Sequence, residues 1–108
     1  MERLEVLSER IKAFNEEREW DQFHSPCNLA KSISIEASEL LECFQWSDTN
    51  YELADVVGEL ADVVNYCIQM AQVLGIDLID IVNAKMDVSE RKYPVEKAKG
   101  VSTKYDKL

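Results

Sequence analysis

Residues 33–72 read ISIEASELLECFQWSDTNYELADVVGELADVVNYCIQMAQ, and the spacing of their acids decides how the chain is read. Glu36 and Glu39 stand three residues apart, and so do Glu59 and Asp62. On a helix that spacing puts two side chains on neighbouring positions, displaced along the axis by about 4.5 Å, so both reach one ion. Between Lys31 and Lys85 there is no Lys, Arg or His, while Glu36, Glu39, Glu42, Asp48, Glu52, Asp55, Glu59, Asp62, Asp77 and Asp80 fall inside that interval. Carboxylates crowded without side-chain cations repel one another unless they face water, protonate or hold a metal.

The apolar positions around these acids recur at helical period. Leu29, Ile33, Leu40 and Phe44 share one face of a helix expected over about residues 26–45, started by Ser25-Pro26, where the missing proline N–H would be unpaired anyway. Glu36 falls inside that face, Glu39 at its margin, and Glu42 opposite with Lys31, Ser34 and Ser38. Glu42 reads as an ordinary solvated acid. Glu36 does not, because a carboxylate in an apolar stripe needs a partner or a metal. The linker WSDTN ends in a capping pattern, Thr49 followed by Glu52. It predicts a helix over about residues 51–74, stopped by Gly75. Glu59 sits at the edge of that helix's apolar stripe. On the opposite face, Ala54, Gly58, Asn65, Gln69 and Gln72 are too poor in charge for open water and are assigned to packing against another helix or subunit.

Leu4, Leu7, Ile11 and Phe14 predict a first helix over about residues 2–18, broken by WDQFHSP. Asp77 caps a helix expected from Leu78 to about Lys92, with Leu78, Ile81, Val82 and Lys85 on one face; from Tyr93-Pro94 onward the chain reads as a polar, basic, irregular tail. The fold class is therefore all-α, a single domain over residues 1–108 built as a four-helix bundle-like subunit. Its composition, 46% hydrophobic and 31% charged, suits a helical globular domain rather than a disordered chain. A net charge of −9 opposes nucleic-acid binding. No apolar run approaches the roughly 20 residues that span a bilayer, and MERLEVLSER has no signal-peptide core, so a cytoplasmic location is expected. Cys27, Cys43 and Cys67 share no metal-binding spacing, and Cys43 and Cys67 are expected as reduced core residues.

A short loop makes the second and third helices antiparallel neighbours, which can bring Glu36/Glu39 opposite Glu59/Asp62. Four carboxylates without nitrogen or sulfur ligands form a hard, all-oxygen site suited to Mg²⁺ or Mn²⁺ rather than Zn²⁺. Such a site polarises a polyphosphate and activates water. Lys85, Arg91, Lys92 and the later lysines follow the acidic block, where they can hold the other side of a phosphate chain. Trp20, Phe23, Trp46 and Tyr66 offer faces on which a base can stack. There is no Walker-type GxxxxGK[ST], so phosphate binding falls to metal and side chains.

The paired E-x-x-E and E-x-x-D on successive helices, with WDQFHSPCNLA, LLECFQW, ELADVVNYCIQMA and NAKMDVSERKYP in order, resemble the all-α nucleoside triphosphate pyrophosphohydrolases of the MazG type, most closely the dCTP pyrophosphatase branch. The resemblance covers about Trp20 to Pro94 and departs at Ser89 and Glu90, where that branch usually carries Asn and Arg. It implies a Mg²⁺-dependent enzyme that splits a nucleoside triphosphate into the monophosphate and pyrophosphate. Glu36, Glu39, Glu59 and Asp62 would hold the metal. Trp20, His24, Trp46 and Tyr66 would line the nucleoside pocket, and Lys85, Asp87, Arg91 and Tyr93 would stand at the triphosphate and sugar end. It further implies a homotetramer, a dimer of dimers. Within that reading Glu36 or Glu39 is the catalytic carboxylate, orienting or deprotonating water. Two rivals remain at this point: a non-catalytic oligomeric helical adaptor with a solvated acidic face, and a dUTP- or NDP-hydrolysing relative with the same acids.

Overall fold

The computed structural model describes residues 2–108. Its helices are α1 (Arg3–Glu17), α2 (Pro26–Glu42), α3 (Leu53–Leu74), α4 (Leu78–Lys92) and the single turn α5 (Val95–Ala98), with short 3₁₀ turns at Asp21–Phe23 and Tyr105–Lys107. Among the described residues there is no strand, and no single helix is long and apolar enough to cross a membrane. The backbone divides into two compact units, one ending at Ile76 and the other spanning Asp77–Leu108.

In the first unit the helix boundaries follow local chemistry. Ser25 Oγ accepts from the Asn28 backbone N–H at 3.1 Å, and Pro26 opens α2. The Asn28 side chain in turn donates to the Phe23 carbonyl at 3.0 Å, tying the 3₁₀ turn to the helix start. Regular α2 stops at Glu42, three residues before the expected end; Phe44 and Gln45 continue as tightened turns onto Leu41 and Glu42. The Thr49/Glu52 capping box does not form. Ser47 Oγ takes both the Thr49 and Asn50 backbone N–H groups, at 3.2 and 2.9 Å, so α3 starts late, after Glu52, with no side-chain cap. Gly75 ends α3 at φ 67°, and the Ile76 N–H reaches back to the Ala71 carbonyl at 3.0 Å. α1 closes in a similar way on Glu19, at φ 55°, which returns the Trp20 N–H to the Asn15 carbonyl at 3.0 Å. That turn sets the Trp20 ring edge-on against Phe14, centroids 5.5 Å apart.

α2 and α3 are antiparallel. Glu36 meets Glu59 and Asp62, Cys43 senses the charges of Glu59 and Asp55, and Phe44 packs on Tyr51 with centroids 4.8 Å apart, so rising numbers on one helix face falling numbers on the other. α1 lies against α3 through polar contacts. Asn15 donates to Gln69 at 3.1 Å, and Gln72 Nε2 donates to the Ser8 carbonyl and hydroxyl, both at 2.8 Å. The charge-poor C-terminal half of α3 is thus covered by α1 of the same chain. Leu29, Ile68 and Ala71 form the buried apolar core. Cys43 and Cys67 are free and half-buried, and Cys27 is free and exposed.

The second unit begins with Asp77, whose side chain accepts from the Asp80 N–H at 3.0 Å and caps α4 as expected. The tail is not irregular throughout. Pro94, fixed in extended backbone, starts α5, and the final 3₁₀ turn sets Tyr105 edge-on to Tyr93, centroids 6.1 Å apart, with Lys92 Nζ 4.3 Å from the Tyr105 ring centre.

Candidate active site

The acids of α2 and α3 converge. Glu36, Glu59 and Asp62 each offer a carboxylate oxygen within 4.8 Å of the others, in the span one divalent ion would bridge. The Oε2 atoms of Glu36 and Glu59 are buried without a hydrogen-bond partner. Glu39 does not join that trio at the same spacing, but its carboxylate is near enough to raise the carboxyls of both Glu36 and Glu59. Antiparallel packing of two i, i+3 pairs produces this crowding, and among the described residues no salt bridge involves these acids.

The electrostatic consequence is specific. The hydrogen bond to Glu39, then burial, then the charges of Glu39, Asp62 and Glu59 push the Glu36 carboxyl up to about 7 from its ordinary 4.5. Burial first, then Glu39, raises Glu59 as well. Burial and the charges of Glu59 and Asp55 push up the Cys43 thiol at the same seam. Two orphaned buried oxygens in an all-carboxylate set fit a hard divalent cation: the ion would supply the partner each oxygen lacks.

These shifts predict a pH dependence. Between pH 4.5 and about 7 the folded metal-free chain keeps a proton on Glu36 that the unfolded chain releases. The native state then binds more protons, so stability falls as pH rises through that window. Thermal melts of the metal-free protein should show a higher Tm at pH 5 than at pH 8. Saturating Mg²⁺ should lift the pH 8 value most, since the cation replaces the protons. A Tm that climbs from pH 5 to pH 8 without metal would contradict the crowding.

A cavity of about 460 Å³ lies between α1, the turn after it and α3. Trp20, His24 and Tyr66, expected at a nucleoside pocket, all line it, together with Phe14. Tyr66 is four residues beyond Asp62 on α3, about one helical turn from the acid cluster. Trp46 is not brought to this cavity within one chain; it stands in the α2–α3 loop at 90% exposure. Lys85, Asp87 and Arg91 are exposed on α4, with Tyr93 just after it, all in the second unit.

Three further residues of the cavity wall were not expected at the site: Asn15, and Asn65 and Gln69, which the sequence placed only on a face packed against another helix or subunit. Asn15, 4% exposed, and Gln69, 6% exposed, are the buried polar side chains among the described residues, and Asn65 joins them through a 2.9 Å bond donated by Gln69 Nε2 to Asn65 Oδ1. One signal was available: Asn15 follows Ile11 by four residues on the apolar face of α1, where a polar side chain requires a partner.

Comparison with known proteins gives concordant results. Residues 31–108 match the model of the MazG-like family. The chain is 39% identical to dCTP pyrophosphatase 1 of Mus musculus and 38% identical to that of Homo sapiens, in each case over 97% of this chain and 67% of the relative. It is also similar to the crystal structure of a pyrophosphatase from Archaeoglobus fulgidus, with a TM-score of 0.82 and 38% identity over 87% of this chain and 94% of that one.

Proposed function

The chain belongs to the MazG-like family, and from that premise we propose that it is a nucleoside triphosphate pyrophosphohydrolase converting a (d)NTP and water to the (d)NMP and pyrophosphate. The observation that carries this reading is the pair of partnerless buried oxygens on Glu36 and Glu59, in an acid cluster one helical turn from an aromatic-walled cavity. A dCTP-like base is the first substrate to test, by analogy with the relatives of that name.

In this proposal Glu36, Glu59 and Asp62 hold Mg²⁺ or Mn²⁺, with Glu39 completing the set. When bound, the cation supplies neutralisation of phosphate charge and acidification of water. Glu39, beside Glu36 and Glu59 but outside the tight trio, would orient a water and accept its proton, with Glu36 keeping Glu39 in position. Trp20 and Tyr66 hold the base by stacking, with His24 at the cavity wall. Lys85, Asp87, Arg91 and Tyr93 are assigned to the triphosphate and sugar end on the family pattern, and Trp46 to a pocket completed by another subunit. The family match crosses the boundary at Ile76, which supports treating both units as one functional domain. A homotetramer acting on the cytoplasmic dNTP pool as a house-cleaning enzyme is the assembly and setting we favour.

The test is a nucleotide panel scored for the phosphate released. Pyrophosphate without orthophosphate from dCTP is expected, with activity lost in EDTA and restored by Mg²⁺ or Mn²⁺. Orthophosphate as the product, or turnover unaffected by chelation, would overturn the reading. Failure of every nucleotide together with no thermal shift on adding Mg²⁺ would favour the adaptor instead.

A further inference from the structure

We propose that Asn15, Gln69 and Asn65 form a reversible carboxamide ladder that reads the edge of the base, letting one pocket accept either an amino or a keto pyrimidine. The inference rests on the pyrophosphohydrolase reading and adds the residues that set base preference. In the structure Asn15 Nδ2 donates to Gln69 Oε1 at 3.1 Å, and Gln69 Nε2 donates to Asn65 Oδ1 at 2.9 Å. All three residues line the aromatic-walled cavity. Asn15 and Gln69 are almost wholly buried and Asn65 is exposed, so Asn65 is the end a ligand meets. Asn65 also lies three residues from Asp62, about 4.5 Å of helical rise, between the acid cluster and the buried end of the ladder.

Each carboxamide has a donor side and an acceptor side that exchange on a half-turn. In this arrangement Asn65 Oδ1 is occupied and its Nδ2 is open, ready to donate to a keto oxygen. If all three amides turn over, Asn65 Nδ2 donates to Gln69 Oε1 and Gln69 Nε2 donates to Asn15 Oδ1. Asn65 Oδ1 is then open to accept from an exocyclic amine. Both states keep the same two internal hydrogen bonds, so little free energy separates them. A cytosine presents an amine at position 4 and a uracil a carbonyl, and the ladder answers each by turning.

The test locks the ladder from its far end. In Asn15→Asp the carboxylate can only accept, so Gln69 must donate to it and Asn65 must donate to Gln69, leaving Asn65 Oδ1 open. Gln69→Glu forces the same outcome from the middle, since both asparagines must donate to the new carboxylate. Each variant is expected to raise the dCTP-to-dUTP ratio of kcat/KM by about tenfold or more over the parent, the scale of one mismatched hydrogen bond. Added charge repels both triphosphates alike and cancels in the ratio. In Asn15→Asp/Gln69→Leu the ladder is cut, and the ratio should return toward that of Gln69→Leu alone. A ratio changed less than about threefold in both single variants, with dCTP still cleaved, overturns the ladder and leaves the pyrophosphohydrolase reading intact. A parent protein that cleaves neither dCTP nor dUTP overturns the ladder, and one that cleaves no nucleotide of the panel overturns both.

Discussion

Glu36→Gln is expected to lower turnover by about 10³-fold or more while making the metal-free protein more resistant to heat. The two effects share one cause. Glu36 carries a buried, partnerless oxygen among Glu39, Glu59 and Asp62, and that crowding is what raises its carboxyl to about 7. An amide in its place removes one acid from the cluster and gives Glu39 a permanent N–H donor, so repulsion falls and the apo fold gains. The same change removes an anionic oxygen from the metal set and ties up the carboxylate assigned to the water. Three measurements decide it: single-turnover pyrophosphate release, apo Tm at pH 8, and the Tm rise on adding Mg²⁺. A lower apo Tm would show that Glu36 is a structural acid with an unrecognised partner. Undiminished turnover would remove it from the chemistry. Glu42→Gln, on the exposed side of α2, should change none of the three.

The acid cluster was legible because its signals are local. Two i, i+3 pairs, an interval without cations, and a Ser-Pro, an Asp and a Gly that start and stop helices all act within a few residues, where helical geometry is fixed. The amide ladder was not legible as a unit. Asn65 and Gln69 were visible as a weakly polar face, but their partner Asn15 lies 54 residues before Gln69, and a carboxamide has no periodic signature. The Thr49/Glu52 box failed although its signal is local: Ser47 Oγ takes the Thr49 N–H that the Glu52 carboxylate would have accepted, and sequence alone does not say which side chain wins. Trp46 reads as a pocket aromatic from its flanks, yet a single chain leaves it in water.

Leu60→Glu should break the protein into smaller species and lower its Tm by about 10 °C or more. Leu53, Val57, Leu60 and Val64 recur along α3 at one helical face and are between 44% and 66% exposed. Against that stripe, the apolar residues buried within the described chain are Leu29, Ile68 and Ala71, little core for a domain of this length. An apolar stripe of this extent is what the homotetramer proposed above would cover, with a second copy seated on it. Val64 also lines the cavity beside Tyr66 and Asn65, so a subunit seated on the stripe would reach the rim of the base pocket. A carboxylate at position 60 would then be buried without a partner at the interface, at a cost of several kcal/mol. Light scattering coupled to size exclusion reads the assembly, and melts at two protein concentrations read the linkage, since a dissociating oligomer has a concentration-dependent Tm. The parent should show that dependence, and the variant should lose it together with most activity. A parent that runs as a monomer, or a variant that keeps both its mass and its Tm, would mean that the stripe meets only solvent.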